Sequence, residues 1–205
     1  MRGVGWRTQS GMPERSWHNI RNMVSLDRWV EACVNTLKEF GSLYENESER
    51  GQAILAGCEI DDLLAEFLSI SLRDNKGKDF LTKGTLSPMS SMAAKSALCF
   101  SLGLTDETEY QAIDALRKIR NHFAHNKNAR YSDDRVVSLE HSLNKAVSET
   151  YDPQMDAMTK DARSRFTLSF IVLVIRLRTR LAQARKTRFP VNADIHVARA
   201  MREAE

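Results

Sequence analysis

The sequence predicts an all-α protein, a bundle of about five to six helices, from three observations. The 205 residues include only 9 Gly and 4 Pro, which is little punctuation for a many-stranded β fold. With 42% hydrophobic and 28% charged residues, the chain has a globular composition and is long enough to bury one sizeable core. Apolar residues also recur three to four positions apart in successive segments, which is the spacing of one helix face.

The predicted organisation is one helical domain flanked by two basic segments. Residues 1–22 are expected to form a flexible arm, because Gly and Pro interrupt them and no apolar period is sustained. Residues 23–185 are expected to form a single domain, and residues 186–205 a basic tail. The arm carries one acid, Glu14, against the cations Arg2, Arg7, Arg15 and Arg21.

The first predicted helices fill the N-terminal half of the domain. One covers Leu26 to Phe40, with Ser25 as its N-cap and Gly41 just past its end. A longer one covers Ser48 to Leu72, and the RDNKGKD segment that follows is predicted as a loop. The apolar line of the long helix consists of Ala53, Gly57, Ile60, Leu64, Phe67 and Ser71.

The next helices are delimited by capping residues. Ser87 and Pro88 predict a helix start, since Pro at the first helical position gives up an N–H that has no partner there. Gly103 predicts the end of that helix, and Thr105 the cap of the next. The buried line of this next helix is Ala112, Leu116, Ile119 and Phe123. Two further helices are expected to start near Ser132 and to span Asp161 to Ala184.

Charge is distributed unevenly along the chain. The net charge of +3 does not by itself indicate nucleic-acid binding. Cations dominate residues 160–188, whereas acids gather at 45–49, 59–66 and 106–109, so the chain has either one basic and one acidic surface or ordinary solvated faces. The turn at Gly103 has the outline of a helix-turn-helix, but acids at the start of its second helix would be repelled by DNA phosphates.

Cysteine usage and hydropathy predict a cytoplasmic protein. Cys33, Cys58 and Cys99 are far apart and form no CxxC pair, so we expect buried, reduced thiols rather than disulfides or a zinc site. The first 22 residues contain no apolar signal segment. The most apolar run, from Phe166 to Leu177, is too short to span a bilayer, which needs ~20 residues.

The segment RKIRNHFAHN, residues 117–126, has three interpretations. His122 and His125 could share a metal ion, but no third ligand accompanies them. Arg120 and His125 could cleave RNA, with Arg120 holding phosphate, His125 moving protons and Asn121 assisting. They lie ~140° apart on a straight helix, so they would converge only at a frayed helix end or across a dimer. In the third, the histidines cap the helix end and Arg120 pairs with Glu59, Asp62 or Glu66.

Two family resemblances rest on this segment and its surroundings. Arg120 to His125 have the form RNxxxH, which resembles the signature of the HEPN superfamily of α-helical, often metal-independent ribonucleases. A wider pattern over residues 48–150 resembles the mannitol operon repressor family. The matching residues are Gly84 and Leu86, Leu102–Leu104, Glu109–Tyr110, Leu116–Asn121 and Tyr131–Asp134.

The HEPN resemblance implies RNA cleavage in the cleft of a homodimer, in toxin–antitoxin or phage-defence settings. It implies Arg120, His125 and Asn121 as catalytic residues and an acid on an earlier helix, for which Glu59 and Asp62 are the candidates, with His122 as a further support. The repressor resemblance implies bacterial transcription regulation through a protein partner or, less favoured, DNA. Candidate nucleic-acid-binding residues are Lys118, Lys127, Arg176 and Arg180.

The main prediction is therefore a metal-independent RNA-cleaving or RNA-binding homodimer that needs no cofactor. The alternative is a non-catalytic transcriptional regulator that acts through a protein partner or DNA. An antitoxin or a regulator is the expected kind of protein partner, and no membrane association is expected.

Overall fold

The computed structural model describes residues 31, 34–36, 38–41, 47–148 and 161–187, and all regular structure in these ranges is helical. The predicted arm, residues 1–22, and the chain beyond residue 187 lie outside them. The helices with defined bounds are α1 (Glu49–Ser71), α2 (Lys76–Thr82), α3 (Met92–Ser101), α4 (Glu107–His125), α5 (Asp134–Ser148) and α6 (Ala162–Thr187). The all-α prediction is confirmed.

Helix α1 has the limits that its sequence predicts. The Ser48 hydroxyl accepts a hydrogen bond from the Gly51 N–H at 3.0 Å, and Leu72 closes the other end. This is the expected action of a serine N-cap on an otherwise unpaired donor. The predicted apolar line is buried from Ala53 through Phe67, whereas Ser71 is exposed.

The predicted RDNKGKD loop is partly helical. The side chain of Asn75 accepts a hydrogen bond from the Lys78 N–H at 3.0 Å and starts the seven-residue helix α2. Asparagine is among the best N-caps, and here this local preference outweighs the Gly and Asp residues that suggested a loop. Helix α2 buries none of its residues, and Phe80 is 72% exposed.

Helix α3 begins four residues later than predicted. The Ser91 hydroxyl is its N-cap and accepts from the Ala94 N–H at 3.2 Å. Pro88 instead follows the first residue of a turn closed by the Ser90 N–H on the Ser87 carbonyl at 3.0 Å. Proline suits that position of a β-turn as well as it suits a helix start. The predicted end at Gly103 is confirmed, and its φ of +68° is readily adopted only by glycine.

Helix α4 occupies the centre of the bundle and packs against α1, α3, α5 and α6. Its N-cap is Asp106 rather than the neighbouring Thr105, and Asp106 and Glu109 bond each other's backbone N–H groups reciprocally. The predicted buried line is confirmed, since each of its members is fully shielded from solvent: Ala112, Leu116, Ile119 and Phe123. The helix ends at His125, with Asn126 as the predicted terminator.

Helices α5 and α6 complete the core. Val136, Leu143 and Val147 of α5 are fully buried, and α6 buries nearly all of its predicted apolar run. Among the residues that the structure describes, no helix is both long and apolar enough to cross a lipid bilayer. One cysteine departs from expectation: Cys99 is buried, but Cys58 is exposed, and Cys33 is outside the described residues. Burial raises the pKa of the Cys99 thiol to about 12.

Candidate functional site

Arg120 lies across helix α1 at Gly57. A Cβ atom at position 57 would come within 2.6 Å of the Arg120 Cγ, so the side chain crosses α1 where α1 has no side chain of its own. Arg120 is half-buried, and its Nη1 donates to the neighbouring Asn121 Oδ1 at 3.1 Å. Gly57 therefore decides where Arg120 can lie.

The structure does not bring Arg120 and His125 together within one chain. Helix α4 continues through His125, so the two residues stay ~140° apart around its axis. His125 is exposed, and Phe123 between them points into the core. The end of α4 therefore does not bring Arg120 and His125 together, and a site that contains both would require a second chain. Asn121 and His125 share one face of α4 at a spacing of four residues.

The side chain of His122 is hydrogen-bonded to the loop that follows α4. Its Nε2 lies 3.0 Å from the Asp133 Oδ2, and its side chain is only 14% exposed. Hydrogen bonds from His122 and from the Arg130 backbone N–H hold the pKa of Asp133 below its usual value. His122 thus fastens the α4–α5 connection rather than facing Arg120. Among the described residues, no group of three or more His, Cys, Asp or Glu side chains could hold a metal ion.

The acids predicted to support Arg120 lie elsewhere. Glu59 accepts a hydrogen bond from Arg178 at 2.8 Å, and Glu66 pairs with Arg185. Asp62 is exposed. The predicted pairing of Arg120 with one of these acids is therefore wrong for the single chain. Gly57 explains why, because Arg120 meets α1 at Gly57 and each of the three acids lies ~140–200° around α1 from that point.

Arg176 and Arg180, which the sequence offered as nucleic-acid ligands, are engaged inside the molecule. Arg176 donates to the Thr108 hydroxyl at 2.9 Å and approaches the Glu109 carboxylate at 3.4 Å. Arg180 bonds Glu109 at 2.6 Å and also contacts Asp106. The basic last helix and the acidic start of α4 therefore face each other. The role of Arg176 and Arg180 as nucleic-acid-binding residues stays a prediction, and any such role would compete with these ion pairs.

Asp106 has a perturbed carboxyl group at this contact. Burial raises its pKa, but the Glu109 backbone N–H, the Thr108 hydroxyl and the guanidinium groups of Arg180 and Arg176 together outweigh burial. The net result is a pKa below the usual value of an aspartate. The carboxyl group is therefore held in its charged form.

The remaining predicted cations lie near the other end of α4. Lys118 is half-exposed and pairs with Asp114 at 2.7 Å, while Lys127 is exposed beyond the helix end. Arg117 also pairs with Asp114 at 2.7 Å. One carboxylate thus serves two cations on this solvent-facing side of α4.

A groove of about 280 Å³ lies beside Arg120. Helix α1, the segment leading into α3, and α4 form its walls, and these residues line it: Gly57, Cys58, Asp61, Ser90, Ser91, Met92, Ala93, Arg117, Arg120 and Asn121. Sequence reasoning identified Arg120 and Asn121 but chose the wrong residues of α1, since Gly57, Cys58 and Asp61 line the groove rather than Glu59 or Asp62. The available signal was Gly57, a glycine inside an otherwise apolar helical line, which marks a close approach of another group.

Comparison with known proteins gives one informative match. No protein-family model matches the sequence, and no curated protein sequence is significantly similar to it. The structure is similar to that of MtlR, the mannitol operon repressor, in the X-ray structure of the MtlR–HPr complex from Escherichia coli. The TM-score is 0.52 and the identity 16%, over 72% of this chain and 98% of that chain.

The chain shares the fold of MtlR. The predicted resemblance to the mannitol operon repressor is thereby confirmed for the fold, whereas the HEPN resemblance receives no support from this comparison. At 16% identity the likeness is one of backbone architecture.

Proposed function

We propose that the protein is a non-catalytic regulator that acts by binding a protein partner. The observation that carries this proposal is the similarity to MtlR over 98% of that chain, in a structure where MtlR is in complex with HPr. HPr is therefore the first partner to test. The sequence-based prediction gave a non-catalytic regulator as its alternative and an RNA-cleaving or RNA-binding protein as its main hypothesis.

The site geometry supports the same choice. A ribonuclease needs its proton-transferring histidine and its phosphate-binding arginine around one scissile bond. Within one chain, Arg120 and His125 point to different sides of α4. The hypothesis that the last helix, α6, binds nucleic acid also loses support, because Arg176 and Arg180 already neutralise acids of α4.

Titration calorimetry of the purified chain with Escherichia coli HPr tests the proposal. We expect a saturable one-to-one complex, and we expect the chain to leave structured and single-stranded RNA intact. Absence of heat and of co-elution with HPr, combined with RNA cleavage that His125→Ala abolishes, would overturn the proposal. His141→Ala serves as a control, because it removes an exposed histidine of α5.

RNA cleavage by a homodimer is the second candidate. It is favoured by one observation: Arg120 and Asn121 line an open groove, and His125 is exposed on the same helix. A mixture of Arg120→Ala and His125→Ala chains tests it. If the site combines Arg120 from one chain with His125 from another, mixed dimers regain one intact site, and RNA cleavage returns although each variant alone is inactive.

A further inference from the structure

The groove beside Arg120 contains an arginine without an acid. Arg120 donates to the Asn121 side chain, and it contacts no carboxylate among the described residues. Arg117, on the same wall, pairs with no described carboxylate other than Asp114, and the two side chains are 29% and 36% exposed. Exposed pairs of this kind contribute at most ~1 kcal/mol, so Arg117 can exchange its partner at little cost. The groove therefore has two guanidinium groups available to an anion.

The same groove contains an acceptor without a donor. The Asp61 Oδ2 accepts from Lys95 at 2.7 Å, whereas its buried Oδ1 has no hydrogen-bond partner among the described residues. A buried carboxylate oxygen without a donor costs ~1–3 kcal/mol. A ligand that fits this groove would therefore bring an N–H or O–H donor for Asp61 together with an anion for Arg120.

A peptide with an acidic side chain meets both requirements. Its carboxylate matches the planar fork of an arginine, and its backbone N–H groups are donors. A phosphodiester linkage offers acceptors only. None of the described residues that line the groove is aromatic, so this lining offers no platform on which a base of single-stranded RNA could stack. Its volume of about 280 Å³ lies at the lower limit of small-molecule pockets and suits one or two residues of a chain.

We propose that this groove is a docking site for an acidic segment of a partner protein, with an Asp or Glu side chain bound by Arg120 and Arg117. Gly57 is part of the site because its missing side chain leaves room for the Arg120 stem. That the segment belongs to a regulatory partner rests on the proposed function, whereas the binding of acidic peptides does not depend on it.

The test uses the full chain and two short peptides, Ac-Gly-Glu-Glu-Gly-NH2 and the neutral Ac-Gly-Gln-Gln-Gly-NH2. Nuclear magnetic resonance follows the backbone amides of Gly57, Cys58 and Asn121 and the Nε–H groups of Arg117 and Arg120. We expect the acidic peptide to shift these signals in a saturable way and the neutral peptide to bind at least about fivefold more weakly, because it lacks the charge.

Variants locate the interaction. Arg120→Gln should weaken binding of the acidic peptide about tenfold, the loss expected for one charge-assisted hydrogen-bonded contact. Gly57→Ala should weaken it too, because the guanidinium is kept but its stem is displaced. Arg135→Gln, which removes an exposed arginine of α5, should leave binding unchanged. The amide spectra of the variants verify that each is folded.

Three outcomes would overturn the inference: equal affinity for the two peptides, shifts confined to other surfaces, or undiminished binding by folded Arg120→Gln and Gly57→Ala chains. An eight-nucleotide oligouridine that shifts the same signals more strongly than the acidic peptide, at equal salt, would assign the groove to RNA instead. HPr binding is measured separately: a chain that binds HPr but no acidic peptide retains the proposed function and loses this inference. The converse result retains the inference.

Discussion

The two ends of helix α4 carry charges that meet different surroundings. At its start, Asp106 and Glu109 face Arg176 and Arg180 of α6, and the Glu109 side chain is only 1% exposed. In its second half, Arg117 and Lys118 share Asp114 at the surface, and Arg120 has an amide for a partner. We call the first the closed end and the second the open end.

The difference shows which charged side chains take part in the contacts that hold the helices together. Removing charges from water is costly, and an ion network in the interior is tolerated only when every member is paired. The closed end satisfies this condition and joins α4 to α6. The open end keeps its cations in contact with solvent, so they can exchange partners without disturbing the core.

The largest expected effect comes from breaking the closed end at its buried acid. Glu109→Ala should reduce the free energy of unfolding by about 3–5 kcal/mol, because Arg176 and Arg180 would then be left poorly neutralised and largely buried. Urea unfolding followed by circular dichroism measures the loss.

The matched control is Glu107→Ala in the same helix turn. Glu107 is exposed, and among the described residues its side chain accepts a hydrogen bond from Gln111 alone, at 2.8 Å, so its loss should stay below about 0.5 kcal/mol. If the two substitutions cost the same, the closed end would not be a buried ion network.

Local sequence signals predicted the helices of this comparison but not the contacts between them. The burial of Leu116 and Phe123 follows from their spacing in the sequence, as does the end of α4 at Asn126. The pairing of Arg180 with Asp106 links residues 74 positions apart. Charge counting located a basic and an acidic region along the chain, but no periodicity indicates that the two regions face each other.

For the same reason, only part of the candidate site was predictable from the sequence. Arg120 and Asn121 were identified from their motif, whereas Cys58, Ser90 and Ser91 reach the groove only through the packing of α1 and α3 on α4. The predicted start of α3 was wrong at Pro88, where two signals compete, because proline fits a turn and a helix start equally well. Packing, rather than propensity, decides between such alternatives.

The next effect tests the contact that places the open end. Gly57→Ala should reduce the free energy of unfolding by about 1–2 kcal/mol, because the added Cβ comes within 2.6 Å of the Arg120 Cγ. The better helix propensity of alanine offsets about 1 kcal/mol of the steric cost. In an Arg120→Ala background the 2.6 Å contact with Cγ is removed and the 3.2 Å contact with the Cβ at position 120 remains, so the penalty of Gly57→Ala should become smaller. An undiminished penalty in this background would assign the clash to another group.

A smaller, pH-dependent effect is expected at Asp106. Its folded-state pKa is lowered, so its contribution is complete above the unfolded-state pKa of about 3.9 and is lost as the pH falls through the folded-state value. Asp106→Asn should therefore cost up to about 1 kcal/mol at pH 7, and progressively less below about pH 4. Urea unfolding between pH 3 and pH 7 measures this difference, and a difference that is constant or grows towards low pH would contradict it.

The smallest effect on stability is expected at the open end itself. Arg120→Gln keeps the Cβ and Cγ atoms that rest on Gly57 and removes a guanidinium that contacts no carboxylate among the described residues. The free energy of unfolding should change by no more than about 0.5 kcal/mol. Arg180→Gln is the counterpart at the closed end, and it should cost several times more because it leaves the buried Glu109 carboxylate with the more distant Arg176 as its cationic partner. A loss above about 2 kcal/mol for Arg120→Gln would show that Arg120 holds α4 to α1. Arg120 would then be part of the fold, and of the two arginines in the groove Arg117 alone would remain available to a partner.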